Sequence, residues 1–188
     1  RDANIIHLYK NKGDRSCCDN HRGISLLSIA GKILARIMLN RITKHILDDA
    51  VSESQCGFRK QRGMVDMVFA IRQLQEKCVE QHQDLHLLFI DLTKAFDTVN
   101  RAALWTILSK LGCPPRFVQI IHSFHEGMQG RIIENGDASD PLPVSNGVKQ
   151  GCVLAPTLFS LLFAQMLSAA LSQTEAGVRI HYRTDGDF

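Results

Sequence analysis

The sequence predicts an α+β fold with room for one hydrophobic core in its 188 residues. Three observations lead there. Apolar residues recur at helical spacing over several long segments. Leu85–Ile90 is a nearly continuous apolar run, too short for most helices, and reads as a buried central strand. Gln129–Glu134, the turn Asn135-Gly136 and Leu142–Val144 read as a hairpin whose second strand is interrupted by prolines.

Taken in order, Ile5–Tyr9 is a short strand, and the polar turn Lys10-Asn11-Lys12-Gly13-Asp14 starts a hairpin. From Ser28, the residues Ile29, Ile33, Leu34, Ile37, Met38 and Ile42 predict an amphipathic helix. Met67, Val68, Ile71, Leu74 and Cys78 mark a second. Asn100 caps a third, which Gly112 and Pro114-Pro115 stop. Arg116–Glu126 is a fourth, with Phe117, Ile120, Ile121 and Phe124 on one stripe. A glycine-rich link over 146–151 leads to the long helix 156–172, and Val178–Tyr182 and the turn Asp185-Gly186 close the chain.

Composition excludes several classes. With 45% hydrophobic and 22% charged residues, the chain is globular rather than disordered. The stretch Leu158–Leu171 contains Ser160, Gln165 and Ser168, and is too short and polar to span a bilayer. No signal peptide is present, and an Arg at position 1 inside a strand suggests a piece of something longer. Cysteines 17, 18, 56, 78, 113 and 152 form no Cys-x-x-Cys pair, so they read as free thiols in a reducing compartment. His122 and His125 share a helix face with no third ligand nearby, the pattern of an ordinary helix surface.

The charge is uneven. Residues 1–62 hold 12 Lys/Arg against 6 Asp/Glu, whereas residues 63–188 hold 10 against 13. A basic front (1–62) on a carboxylate-bearing back (63–188) suits a protein that grips phosphates with one part and holds metal ions with the other.

The densest chemical signal is Leu87-Leu88-Phe89-Ile90-Asp91-Leu92-Thr93-Lys94-Ala95-Phe96-Asp97. A stiff apolar strand would deliver the Asp91 carboxylate at its C-terminal end, where sheets open a crevice. A carboxylate is a hard oxygen ligand suited to Mg²⁺; on its own, Asp91 reads more readily as a helix cap. A second segment, Asn146-Gly147-Val148-Lys149-Gln150-Gly151-Cys152-Val153-Leu154-Ala155-Pro156, is a loop before a helix. Its glycines let the backbone approach a ligand, Gln150 offers amide donors and an acceptor, and Lys149 offers a charge.

These segments resemble blocks of reverse transcriptases, in the form found in retrotransposons without long terminal repeats. Phe89 to Val99 resembles the first catalytic block, Phe-Ile-Asp-Leu-x-Lys-Ala-Phe-Asp-x-Val. Gly147 to Phe159 resembles Gly-Val-x-Gln-Gly-x-x-Leu-(Ser/Ala)-Pro-x-Leu-Phe. Leu8–Asp14 and Asn20–Leu27 resemble two fingers blocks, with His21 where relatives often carry Tyr. Gln55–Arg59 with Asp66 resembles a block along the template path.

The resemblance implies a polymerase fingers and palm fold, with fingers over 1–62, part of a palm over 63–188, and a small antiparallel palm sheet backed by helices. It implies that Asp91 is catalytic and binds metal, and that Phe96 shields the sugar 2′ carbon. A ring packed there leaves no room for a 2′-OH. Lys10, Arg22, Phe96, Gln150 and Gly151 would handle the nucleotide; Lys12, Gly57, Phe58, Arg59 and Lys149 would lie along the nucleic acid.

The cofactor implied is Mg²⁺, two ions in the intact parent, and the partners are an RNA template, a DNA primer and deoxynucleotides, with no membrane. The setting implied is intracellular, nucleus and cytoplasm. An aromatic-x-Asp-Asp turn, the family's second catalytic block, does not occur in these residues; Asp185 and Asp187 do not form one. The isolated piece is therefore expected to be inactive. Alternatives from other classes are a non-catalytic RNA-binding relic and an intron maturase-like protein.

Overall fold

The computed structural model describes residues 2–173, so Val178–Tyr182 and Asp185-Gly186 lie outside the described residues. The element order is β1 (Ala3–Tyr9), β2 (His21–Leu26), α1 (Ile29–Ile42), α2 (Met64–Glu80), α3 (Arg101–Lys110), α4 (Pro115–Ser123), β3 (Gln129–Glu134), β4 (Asp137–Ala138), β5 (Leu142–Pro143) and α5 (Ala155–Leu171). The α+β class stands.

One sheet joins the two sides of the charge division at residue 62. β1 and β2 form an antiparallel hairpin with Ile6 opposite Ile24. The other edge of β1 pairs in parallel with β3, Ala3 opposite Gly130 through Ile6 opposite Ile133. β4 and β5 are short antiparallel additions to β3. Gly130 sits close to β1 at this crossing, where a Cβ would lie 2.7 Å from the end of the Ile5 side chain and the Ile5 side chain would have to shift.

Helix boundaries follow local chemistry. The Ser28 hydroxyl accepts from the Gly31 N–H at 3.2 Å and caps α1. α1 runs on through a π-helical turn, Thr43–Leu47, and a last turn, Asp48–Ala50. Asp66 accepts from the Gly63 N–H at 2.7 Å and fixes the start of α2. Asn100 accepts from the Ala103 N–H at 3.0 Å and caps α3, and Gly112 follows it at φ +82°. Pro115 opens α4, where its missing N–H costs nothing.

The core lies among the second half of α1, α3, α4 and α5. Met38, Ile42, Leu104, Leu108, Ile121, Leu154, Leu158 and Leu161 are fully buried there. Gln165 donates to the Ala50 carbonyl at 3.3 Å, tying α5 to the end of the α1 extension.

Two expectations need correction. The stripe Ile29, Ile33, Leu34 and Ile37 is exposed, and α1 buries Ala35, Met38 and Ile42 instead. The apolar arc of this helix is wide, and the shared core with α3, α4 and α5 takes up its far side. The predicted strand Leu85–Ile90 is not in the sheet either. It pairs with no strand, and Leu88, Phe89 and Ile90 are exposed. A strand apolar on both faces needs neighbours on both, and none of the described strands lies beside it.

Candidate active site

The segment that follows the bare run 85–92 is a tight turn over 93–98. Lys94 adopts φ +51°, and its carbonyl accepts from the Asp97 and Thr98 N–H groups at 2.9 and 3.1 Å. The Lys94 ammonium reaches the Asp19 carboxylate at 2.8 Å, linking this turn to the front hairpin. Each group pulls the other's titration outward: Lys94 holds the Asp19 carboxyl below its usual range, and Asp19 raises Lys94.

Phe96 points into an aromatic row. Its ring lies 6.0 Å from Phe58, edge on, and 5.2 Å from Phe159, which stacks on Phe163 at 5.7 Å. Phe58 is exposed on its outer side and stands at φ +58°.

The glycine-rich segment is tied to both neighbours. Gly147 N–H donates to the Val99 carbonyl at 3.0 Å and Val148 N–H to the Phe96 carbonyl at 2.8 Å. The Gln150 carbonyl accepts from the Ser25 N–H of β2 at 2.7 Å. A Cβ at Gly147 would lie 2.7 Å from the Asp97 carbonyl oxygen, and one at Gly151 would lie 2.5 Å from that of Ser25. Both glycines have positive φ, +81° and +109°, so only glycine fits this close approach without strain.

These contacts enclose a cleft of about 120 Å³ lined by Ser25, Asp97, Gly147, Lys149 and Gln150 among others. Gln150 and Asp97 therefore share a cleft, but Asp91 is not among its lining residues and is exposed. Hollows of about 390 Å³ lie elsewhere, one against Trp105, His122 and His125, the other against Ile42, Ile46 and Phe117. The small cleft is the candidate site, because there the matched segments meet.

The remaining expected residues divide into exposed and inward-facing ones. Arg22 is exposed on β2, opposite Leu8. Lys12 is exposed in the hairpin turn. Lys10 is exposed, with its ammonium on the Asp19 carbonyl at 2.7 Å. Gly57 is exposed beside Phe58. The Arg59 side chain is only 7% exposed, donating to the Ser52 carbonyl at 3.0 Å and lying 3.9 Å from Glu53. Lys149 is buried, and that burial pushes its ammonium's pKa down.

Sequence reasoning missed Arg101, and it read His125 as helix surface although His125 is buried just beyond the end of α4. Arg101 Nε donates to the Gly147 carbonyl at 2.8 Å, Nη1 to those of His125 and Val144 at 2.9 Å each, and Nη2 to that of Asn146 at 3.0 Å. One signal was available: a cation on the first residue of a helix opposes the helix dipole, so its place there asks for another reason. His125 is buried, its Nδ1 lies 2.9 Å from the Ile121 carbonyl, and its ring is 5.5 Å from Trp105. Burial lowers its pKa to about 4.

A divalent ion asks for several oxygen ligands. Among the described residues, no three His, Cys, Asp or Glu gather to hold one. Asp91 could supply a single carboxylate, so the described residues do not by themselves form a metal site.

Comparison with known proteins places the chain. Residues 9–182 match the family described as reverse transcriptase (RNA-dependent DNA polymerase), whose members generally use divalent metal ions and act on nucleic acid. The chain is 34% identical over 165 residues to the RNA-directed DNA polymerase from mobile element jockey of Drosophila funebris, covering 87% of this chain and 18% of that protein. It is 31% identical over 163 residues to the Transposon TX1 uncharacterized 149 kDa protein of Xenopus laevis, covering 87% of this chain and 12% of that one. The chain thus spans less than a fifth of these relatives. An apo telomerase structure from Candida tropicalis, truncated from the C-terminal domain, shares the fold with a TM-score of 0.55 at 15% identity, over 92% of this chain and 40% of that one. The chain belongs to the reverse transcriptase (RNA-dependent DNA polymerase) family, on the branch carried by retrotransposons without long terminal repeats.

Proposed function

We propose that residues 1–62 serve as fingers and residues 63–188 as part of the palm of an RNA-directed DNA polymerase, active in the longer parent protein. The observation that carries this reading is the meeting of three separate segments at one cleft. The turn after Asp91, the Gly147–Gly151 segment and strand β2 are bonded together there through Val99, Phe96 and Ser25.

In the reaction proposed, the 3′-OH of a DNA primer attacks the α-phosphorus of a deoxynucleotide on an RNA template. A new P–O bond forms, and the bond to the departing pyrophosphate breaks. The protein's part is mainly positioning and charge stabilisation. Arg22 and Lys10, exposed on the front hairpin, would meet the phosphates as a fork of donors and a point charge. Gln150 and Gly151 would face the nucleotide across the cleft, and Phe96 would close the space under its sugar.

Lys12, Gly57 and the outer side of Phe58 would line the nucleic acid. Arg59 and Lys149 would support that track from within. Asp91 would be one oxygen ligand of Mg²⁺, the ion proposed for this member, with the other ligands outside the described residues. The setting proposed is intracellular, nucleus and cytoplasm.

Primer extension on an RNA template by the full-length protein tests the reading. Incorporation should be abolished by Asp91→Asn, and residues 1–188 alone should extend no primer. An Asp91→Asn enzyme that still extends would remove Asp91 from the site. Salt-sensitive RNA binding without any incorporation by the full-length protein would replace the polymerase with a non-catalytic RNA-binding relic.

A further inference from the structure

We propose that Arg101 is the positioning residue that sets the nucleotide-facing segment Gly147–Gly151 in place, so that its loss weakens nucleotide capture more than turnover. The proposal rests on the polymerase reading above and adds a residue outside the matched segments.

The argument starts from the guanidinium. Its planar fork can donate in several fixed directions at once, and it stays charged at all working pH values. Here it receives the carbonyls of Val144, Asn146 and Gly147, three residues within one short stretch, together with that of His125. Gathering those carbonyls on one side of the loop leaves the next amides facing the other way. The N–H groups of Gly147 and Val148 accordingly donate to Val99 and Phe96 in the turn after Asp91. Two residues further on, Gln150 is held against Ser25.

Arg101 thus fixes one end of a loop whose far end bears Gln150 and Gly151. It touches no reacting atom in this arrangement and acts through the loop. A lysine at this position could not do the same, since an ammonium is a point charge and cannot hold this spread of carbonyls in one plane. Without the guanidinium, the carbonyls of Val144, Asn146 and Gly147 lose their charged donor, and hydrogen bonds to charged groups are among the stronger ones.

The test is steady-state primer extension by the full-length protein and its Arg101→Ala and Arg101→Lys variants, with Asp91→Asn alongside. Arg101→Ala should raise the nucleotide KM roughly tenfold or more, with kcat within about threefold and primer–template affinity unchanged. Arg101→Lys should fall between. Trypsin should also release the peptide ending at the buried Lys149 faster in Arg101→Ala than in the parent.

A fall in kcat with an unmoved KM would mean that the substitution only lowers the amount of folded enzyme, and would overturn the proposal. So would an unchanged rate of cleavage at Lys149. Extension that survives Asp91→Asn would instead remove Asp91 from the site, whatever Arg101 does. A parent protein that incorporates nothing would take both down.

Discussion

Residues 144–151, which carry the proposed nucleotide-facing Gln150 and Gly151, and residues 87–92, which carry the proposed metal ligand Asp91, are built in opposite ways. The first stretch is bonded to Arg101, to the turn at 96–99 and to β2, and it carries two glycines where no side chain fits. The second carries Phe89 at 79% exposure and joins no strand. The difference lies in where their partners are. A glycine-rich loop is satisfied by single polar groups a few ångströms away, here backbone groups and the Arg101 guanidinium among the described residues. A strand with apolar side chains on both faces is satisfied only by whole neighbouring elements.

The largest expected effect strikes the bonded loop. Gly151→Ala combines a φ of +109° with a Cβ 2.5 Å from the Ser25 carbonyl oxygen, and should cost about 3 kcal/mol or more in urea unfolding. Gly147→Ala should behave alike. Gly63→Ala, with an extended backbone and nothing within 4 Å of the new methyl, should be close to neutral. Equal effects at Gly151 and Gly63 would dissolve the contrast.

A comparable effect should come from pH. His125 offers its backbone carbonyl to Arg101, and its ring is kept neutral by burial, with the charges of Arg101, Lys149 and His122 also opposing protonation. Glu126, paired with His122 at 3.4 Å, lines the same hollow. The folded ring titrates at about 4, against 6.5 for the free side chain. The unfolded chain therefore binds the proton first. Stability is full above about pH 6.5 and is lost as pH falls towards 4, by roughly 2–3 kcal/mol from this group. The depressed Asp14 and Asp19 carboxyls add losses only at lower pH. His125→Phe should flatten the upper window, and unfolding curves at pH 7, 5.5 and 4.5 would reveal an unchanged slope if the assignment is wrong.

The smallest expected effect sharpens the other side of the comparison. Phe89→Ser in the bare run should shift the unfolding free energy of residues 1–188 by no more than about 0.5 kcal/mol. Leu161→Ala in the core should cost about 2–5 kcal/mol. A large loss at Phe89 would show that the run is packed after all.

How much of this was legible depends on the reach of each interaction. Ser28, Asn100, Gly112 and Pro115 act on backbone groups within a turn, so the helix ends could be read from the sequence. The parallel pairing of β1 with β3 could not, because nothing in Ile5–Tyr9 names Gly130 as a neighbour. The buried side of α1 was misjudged because Ile29 and Ile33 are as apolar as Met38 and Ile42, and only the tertiary core distinguishes them. At the site, Gly147, Gln150 and Gly151 stood out by pattern, and the structure joins Gly147 to the segment after Asp91 and sets Gln150 and Gly151 against Ser25 of β2. Arg101 did not, because a single arginine at a helix start looks like solvated surface until its four carbonyls are seen.

The parallel pairing also sets an order of events during synthesis. The β1–β2 hairpin closes over a short loop and can form as soon as residue 26 has left the ribosome. The other edge of β1 must wait for Gly130 to Ile133. At ordinary elongation speeds that interval is on the order of ten seconds, during which a strand edge carrying Ile5 and Ile6 has no mate. The hairpin therefore belongs to the early chain and the finished sheet to the late one. Folding of the front half is thereby timed by the translation of the back half.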